Sequence, residues 1–202
     1  MQNRSILVID YPSRTIEKET LHTVSLIEPQ LADCRSLLDV GCGAGYVTRA
    51  LEGRCDEVWG VDIGDFRQTR TERFSLYDGI RLPFEDRRFD LVVFSFVLHH
   101  VPDVFKPLLL GEARRVARRS IFVLEDTPAT MFDRLVSWRH GRSFRRKIAS
   151  DESFGFLDVR EWERLFRALH LPPTQVRPLS RWCRSIAQPF ARTAFVLDAG
   201  RR

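Results

Sequence analysis

Apolar runs of strand length alternate with amphipathic stretches of helix length from residue 36 to the end of the chain. This alternation predicts a parallel β-sheet with helices on both faces. Six strands are predicted, at residues 36–40, 57–62, 89–94, 120–125, 175–179 and 193–198. Ser75 and Leu76 mark a seventh strand, which we expect to be short because the run is brief and mixed in character.

Helical stretches lie at residues 15–31, 45–51, 105–117 and 159–170. The last has one apolar face, because four apolar residues recur at positions i, i+3, i+4 and i+7. They are Trp162, Leu165, Phe166 and Leu169. Asp158 or Asp151 is the candidate N-cap, and the two prolines at 172 and 173 end the helix because they remove backbone donors. We expect this face to pack in the core.

The first helical stretch has a less regular apolar stripe. Its members are Ile16, Leu21, Val24 and Ile27. We predict that residues 1–35 form a helical flap over the sheet edge or over the functional site. The whole chain, residues 1–202, is then a single domain, in keeping with its length.

Residues 127–155 interrupt the alternation of strands and helices. The segment is too long for a simple connection and contains five arginines, a lysine, a histidine and a tryptophan. An insertion of this kind next to a site is typical of a lid, so we predict a lid-like segment here.

Composition excludes several classes of protein. With 44% hydrophobic and 29% charged residues, the chain is neither disordered nor fibrous. The net charge is +5, but 29 of the 32 basic residues are arginines spread along the whole length, so a nucleic-acid partner is disfavoured. The longest apolar run, residues 91–98, is far shorter than the roughly 20 residues of a membrane span. We therefore expect no transmembrane segment and a cytoplasmic location.

The four cysteines have no zinc-ligand or CxxC spacing. They stand at positions 34, 42, 55 and 183. We therefore predict neither a structural metal nor disulfides.

The chemistry-bearing motif is the segment 36–45, SLLDVGCGAG, in which a buried strand runs into a glycine-rich turn that opens a helix. Gly41 and Gly43 let backbone approach a ligand closely, and free N–H groups there favour a nucleotide-like ligand. The spacing is GxGxG, whereas the dinucleotide motif is GxGxxG. Asp39 at the strand end would repel a pyrophosphate but would suit a ligand that carries an ammonium group.

A second acid stands at the tip of the next strand. Asp62 ends the strand 57–62, and a carboxylate at that position accepts hydrogen bonds from both ribose hydroxyls of a bound nucleoside. A helix N-cap is the alternative role for Asp62.

Three motifs in this order resemble class I S-adenosylmethionine-dependent methyltransferases of the type-11 group, which includes the ubiquinone and menaquinone biosynthesis methyltransferases. The motifs are LLDVGCGAGYVT at 37–48, VWGVDI at 58–63 and DGIRLPFEDRRFDLVVFSFVLHHVPD at 78–103. The resemblance spans about residues 36–126. It implies a Rossmann-like, doubly wound α/β sheet of about seven strands, mostly parallel, with an antiparallel C-terminal strand.

The resemblance also implies roles for individual residues around S-adenosylmethionine. Asp39 and Gly41 would contact the methionine moiety, with Cys42, Gly43 and Gly45 in the same turn. Asp62 would bind the ribose hydroxyls, and Ile63 would pack on the adenine face. Asp78 would accept from the adenine amino group, and Gly79 would donate to the ring. Ser95 and Phe96 would lie near the methionine ammonium and the methyl group.

Two neighbouring histidines follow the strand 89–94. A metal role is disfavoured, because His99 and His100 have no third ligand at a matching spacing. In the resembling family such a pair borders the methyl-acceptor pocket, so both are candidate general bases, His100 before His99. Glu125 and Asp126 end a strand at the edge where open α/β folds bind ligands, and ligand contact and turn capping stay equally open for them.

The sequence therefore predicts a methyltransferase that uses S-adenosylmethionine and a small-molecule acceptor, with O- or C-methylation favoured. N-methylation of adenine or glutamine is disfavoured, because Ser95-Phe96-Val97-Leu98 stands where an Asn-Pro-Pro-Tyr element would be. Three alternatives stay open: a binding module of the same fold without turnover, an RNA methyltransferase, and a nicotinamide-dependent oxidoreductase. Asp39 is the evidence against the last of these.

Overall fold

The computed structural model describes residues 9–130, 133, 155–179 and 191–200. In this part of the chain a seven-stranded sheet has the order β3-β2-β1-β4-β5-β7-β6. The strands are β1 (Ser36–Val40), β2 (Glu57–Asp62), β3 (Phe74–Leu76), β4 (Phe89–Ser95), β5 (Ala117–Asp126), β6 (Pro173–Pro178) and β7 (Arg192–Asp198). All seven predicted strands are confirmed, with ends that move by up to three residues.

The first five strands are parallel and the C-terminal strand is antiparallel to both of its neighbours. This confirms the predicted Rossmann-like, mostly parallel sheet. The chain leaves β1 toward β2 on one side, and β4 occupies the other side of β1. Strand order reverses at this point, and the crevice beyond the carboxyl ends of such strands is where open α/β folds bind ligands.

Four α-helices are described around the sheet. They are α1 (Arg14–Ile27), α2 (Tyr46–Leu51), α3 (Lys106–Val116) and α4 (Val159–Ala168). Helix α4 begins at Asp158 in a reciprocal capping box with Glu161, and it buries Trp162 and Phe166, as the predicted apolar face requires. Asp151, the other candidate cap, lies outside the described residues.

The apolar stripe predicted for α1 is wrong at Leu21. Its side chain is 48% exposed, whereas Val24 and Ile27 are buried. The buried face includes Thr20 and Thr23, so it is centred about one residue away from the predicted stripe. Leu21 directly follows the buried Thr20, and successive residues of a helix point roughly 100° apart, so the Leu21 side chain points away from the core.

Two apolar cores cover the two faces of the sheet. One is formed by strand side chains with α3 and α4, and includes Phe89, Phe94 and Trp162. The other is formed with α1 and α2, and includes Ile27, Leu37 and Leu51. Because β1 is buried along its whole length, the turn that follows it starts from a fixed point.

The connection between β2 and β3, residues 63–73, contains no helix. Backbone hydrogen bonds from Gln68 and Thr69 to the Ala44 carbonyl hold it against the glycine turn. Most of the predicted lid, 127–155, lies outside the described residues. No helix of the described part is long and apolar enough to cross a membrane.

Candidate functional site

The glycine turn connects β1 to α2 with three glycines in the left-handed region. Their φ values are 71° at Gly41, 50° at Gly43 and 83° at Gly45. A Cβ on Gly41 would lie 2.6 Å from both methyl carbons of Val97, so this position excludes any side chain. A Cβ on Gly43 would meet nothing within 4 Å. The turn therefore brings bare backbone to the edge of the sheet.

Asp62 links this turn to the tip of β2. Its Oδ2 accepts from the Gly43 backbone N–H at 2.7 Å, and its Oδ1 accepts from the Ile63 backbone N–H at 2.8 Å. Burial raises the pKa of this carboxyl group, and the bonds from backbone donors oppose the rise. Two backbone donors thus fix the orientation of this carboxylate at the tip of β2.

Asp39 is 2% exposed and lies beneath the turn. Its Oδ2 accepts a hydrogen bond from the Thr48 hydroxyl at 2.6 Å. Burial raises the pKa of Asp39 to about 7, the Thr48 bond opposes the rise, and the charge of Asp62 adds to it. At neutral pH this carboxyl group is therefore poised between its two protonation states, and a nearby cation would favour the ionised one.

A cavity of about 930 Å³ opens at the carboxyl ends of β1, β2 and β4. Many of the predicted site residues line it, namely Gly41, Cys42, Gly43, Asp62, Ile63, Asp78, Gly79, Ser95, Phe96 and His100. Asp39, Gly45 and His99 do not line it. Gly45 is instead the N-cap position of α2, where an added Cβ would lie 3.3 Å from the Thr69 carbonyl oxygen.

Among the described residues that line the cavity, Ser95 is the one with a buried polar atom that lacks a hydrogen-bond partner. Its Oγ has no hydrogen-bond partner among the described residues, although the atom is shielded from solvent. A buried hydroxyl without a partner at the end of β4 is costly unless a ligand completes it. The polar end of a ligand therefore fits this part of the cavity.

Asp78 and Gly79 form the rim of the cavity opposite β1. Asp78 is exposed, and its Oδ1 accepts from the backbone N–H groups of Ile80 and Arg81 at 2.9 and 2.6 Å. These bonds lower the pKa of the carboxyl group. Gly79 has a φ of 87° and lies near the Ile63 side chain. Asp78 thus shapes a turn at the rim, and Ile63, 64% exposed, faces the same cavity.

The two histidines occupy different environments. His100 lines the cavity, whereas His99 is buried and its ring stacks on Phe156 at a centroid distance of 4.9 Å. The two imidazole centroids are 4.0 Å apart. His99 Nδ1 lies 2.6 Å from the Oε2 of Glu125, which is fully buried at the end of β5.

Several lining residues were not predicted. They are Phe66, Tyr77, Ile80, Val97, Val101, Pro102 and Phe105. Most are apolar, and in the sequence they look like ordinary core residues, so no local signal distinguishes them. Burial raises the pKa of the Tyr77 hydroxyl, with the charges of Asp62 and Asp78 adding to the effect. Tyr77 directly precedes the predicted site residue Asp78, and this position is the one sequence signal that could have placed it near the site.

No group of three or more potential metal ligands occurs among the described residues. Three of the described cysteines, Cys34, Cys42 and Cys55, are buried. The Sγ atoms of Cys34 and Cys55 lie 3.4 Å apart beneath α1 and α2.

Comparisons with known proteins agree with the fold. Residues 38–123 match the family described as "Methyltransferase domain". The match spans less than half of the chain, and over that segment it confirms the predicted resemblance to class I S-adenosylmethionine-dependent methyltransferases.

Among curated proteins, the demethylmenaquinone methyltransferase of Staphylococcus aureus (strain MRSA252) is 38% identical over 93 residues. The match covers 40% of this chain, and the chain spans only 38% of that relative's length.

Solved structures share the fold at low sequence identity. A SAM-dependent methyltransferase from Archaeoglobus fulgidus has a TM-score of 0.70 at 15% identity, over 90% of this chain and 93% of the other. Magnesium protoporphyrin IX methyltransferase from Synechocystis PCC 6803, solved with bound SAH, has a TM-score of 0.61 at 13% identity. That match covers 95% of this chain and 90% of the other.

Proposed function

We propose that this protein transfers a methyl group from S-adenosylmethionine to a small-molecule acceptor, with O- or C-methylation favoured. One observation carries the proposal: the cavity at the carboxyl edge of the sheet brings together the glycine turn, the Asp62 tip, the Asp78-Gly79 rim and the 95–100 segment. The curated relative that acts on a menaquinone precursor supports a small acceptor.

The residues present fit this cofactor. Asp62 would accept from the ribose hydroxyls, and Ile63 would pack on the adenine face beside Gly79. The bare backbone at Gly41 and Gly43 and the Ser95 hydroxyl without a partner would receive the methionine end. Asp39 beneath the turn would favour the ammonium group through its charge.

When bound, the cofactor supplies an activated methyl group on its sulfonium. The chain's own part is to orient the acceptor in line with that group and to exclude water. Phe96, Val97, Val101 and Phe105 give the cavity an apolar side for this purpose. Apolar lining favours an aromatic or quinone-like acceptor over a charged one.

His100 is the proposed general base. Its ring lines the cavity and an imidazole titrates near neutral pH, so it would take a proton from a phenol or an enolisable carbon as the methyl group is transferred. His99 is buried against Glu125 and Phe156, so it would not contact the acceptor and would instead support the ring of His100.

Calorimetric titration tests the cofactor assignment. We expect heat from S-adenosylhomocysteine and none from NAD. Asp62→Asn should weaken S-adenosylhomocysteine binding by about 10-fold to 100-fold, since hydrogen bonds to a charged acceptor contribute about 1.5–3 kcal/mol. Asp65→Asn is the matched control, because this exposed carboxylate three residues on pairs with Arg67. Equal loss in both variants, or heat from NAD alone, would overturn the assignment.

Turnover distinguishes an enzyme from a binding module of the same fold. Labelled methyl groups should move from S-adenosylmethionine to at least one member of a panel of phenols, quinols and enolisable ketones. Tight S-adenosylhomocysteine binding with no transfer to any member would favour the non-catalytic module.

A further inference from the structure

Glu125 is a buried carboxylate with three hydrogen bonds and no role in the functions assigned so far. It is 0% exposed at the end of β5. Its Oε1 accepts from the backbone N–H groups of Val97 and Leu98 at 3.0 and 2.6 Å, and its Oε2 lies 2.6 Å from His99 Nδ1. One side chain thus holds three consecutive residues next to the cavity.

The segment held by Glu125 is strained where it borders the cavity. Phe96 has a φ of 58°, a conformation that a large residue rarely adopts without support. The backbone bonds from Val97 and Leu98 to Glu125 supply that support directly after Phe96. The Phe96 ring also lies beneath the Arg192 guanidinium, at 4.6 Å from its centroid.

The neighbouring carboxylate has a different partner. Asp126 accepts a hydrogen bond from the Arg192 guanidinium at 3.1 Å, and both residues are buried. Asp126 and Arg192 therefore form a buried ion pair next to Phe96. The charge of His99 also acts on Asp126, but the carboxylate that hydrogen-bonds to the histidine is Glu125.

We propose that Glu125 is a positioning residue for the methyl-transfer site, an inference that rests on the proposed function. It fixes the 96–98 backbone and holds a proton on His99 Nδ1. The Val97 and Leu98 amides donate to Oε1, which leaves Oε2 facing His99 Nδ1, and we assign the proton of this short contact to Nδ1. The ring fixed in this way lies against His100, which lines the cavity.

Replacing Glu125 by Gln tests this proposal, because the two carboxylate oxygens have different partners: Oε1 accepts from backbone amides and Oε2 lies against His99. The Val97 and Leu98 amides are donors only, so the Gln oxygen must stay on them. The Gln NH₂ group then faces His99 Nδ1, which has to become an acceptor. Glu125→Gln should therefore move the His99 proton from Nδ1 to Nε2 with little change in shape.

Nitrogen-15 NMR of the histidine rings measures this directly on the full chain. In the wild type we expect His99 Nδ1 to be protonated, and in Glu125→Gln we expect it to be unprotonated in the neutral ring. Asp126→Asn is the matched control: it removes a neighbouring buried carboxylate that does not hydrogen-bond to His99, and Nδ1 should stay protonated. An unprotonated Nδ1 in the wild type would overturn the proposal even if the variants failed to fold.

Binding of S-adenosylhomocysteine separates this inference from the proposed function. Its dissociation constant should change by less than about threefold in Glu125→Gln, because Glu125 holds the acceptor side of the cavity. Failure of the wild type to bind S-adenosylhomocysteine would refute the proposed function and leave the tautomer test unaffected. A His99 proton that stays on Nδ1 in Glu125→Gln would refute the positioning role alone.

Discussion

Asp39 is an ionisable carboxyl group that is almost fully buried beneath the glycine turn. The carboxyl group has one hydroxyl partner, Thr48, and the like charge of Asp62 nearby. Its pKa of about 7, against about 3.9 in an unfolded chain, means that ionising it costs stability in the free protein. A strongly perturbed buried carboxyl group marks a candidate ligand-binding position, and the ligand that we propose for Asp39 is the ammonium group.

The raised pKa of Asp39 predicts how stability depends on pH. The folded state binds more protons than the unfolded state between about pH 4 and pH 7, so this group lowers the free energy of unfolding as pH rises through that range. Asp39→Asn removes the effect. Relative to the wild type, the variant should gain on the order of 2–3 kcal/mol between pH 5 and pH 8 in urea unfolding.

The same variant should lose affinity for S-adenosylhomocysteine at pH 8, because the ammonium group loses its charge partner. Thr48→Val is the companion variant, since it removes a bond that lowers the Asp39 pKa. In Thr48→Val the Asp39 carboxyl group should ionise at a higher pH, so the affinity for S-adenosylhomocysteine should begin to rise at a higher pH than in the wild type. A stability difference between Asp39→Asn and the wild type that does not vary with pH would contradict this account.

Individual residues could be predicted from the sequence where a backbone motif fixes them. The positions of Asp62, Gly41 and Ser95 follow from strand ends and a glycine spacing, and all three line the cavity. Glu125 was recognised only as an acid at a strand end, because its partners lie 26 to 28 residues away in sequence. The apolar lining residues Phe66 and Phe105 depend on how loops meet, which no local pattern records.

At the scale of elements, the glycine turn is the part most sensitive to substitution. Gly41→Ala would bring Cβ within 2.6 Å of both Val97 methyl carbons and would strain a φ of 71°. It should lower the free energy of unfolding by more than the ~1–3 kcal/mol of backbone strain alone. Chemical denaturation measures the difference.

Gly43→Ala is the control for that prediction, because it has a positive φ but open space around the added Cβ. It should show the strain cost without the collision. In a Val97→Ala background, Gly41→Ala should cost only as much as Gly43→Ala does in the wild type. An equal cost in both backgrounds would show that the Val97 contact has no effect.

The elements themselves followed closely from the hydrophobic pattern. The strands β1 and β2 were predicted to the residue, since β1 is followed directly by the glycine turn and β2 ends at Asp62. The short strand β3 was marked by only two residues, because the connection before it lacks a helix. The 63–73 segment packs on the glycine turn instead, an arrangement that depends on backbone bonds to Ala44.

For the whole molecule, the order of the strands decides where a ligand binds. The reversal of strand order between β1 and β4 opens the crevice, and acids and glycines lie at the strand ends around it. This arrangement is the basis for proposing a cationic, nucleoside-like ligand there. The sequence predicted this architecture because the alternation of strands and helices and the three motifs at 37–48, 58–63 and 78–103 indicate the same fold. The acceptor depends on side chains from several loops, so it does not follow from the pattern.

A crystal structure of the full chain with S-adenosylhomocysteine tests the central claim most directly. We expect the ribose at Asp62, the adenine against Ile63, and the methionine end at Gly41, Gly43 and Ser95. The sulfur should then face the segment that Glu125 holds. Ligand density elsewhere on the molecule, or a pyrophosphate-bearing nucleotide in this cavity in its place, would contradict the account.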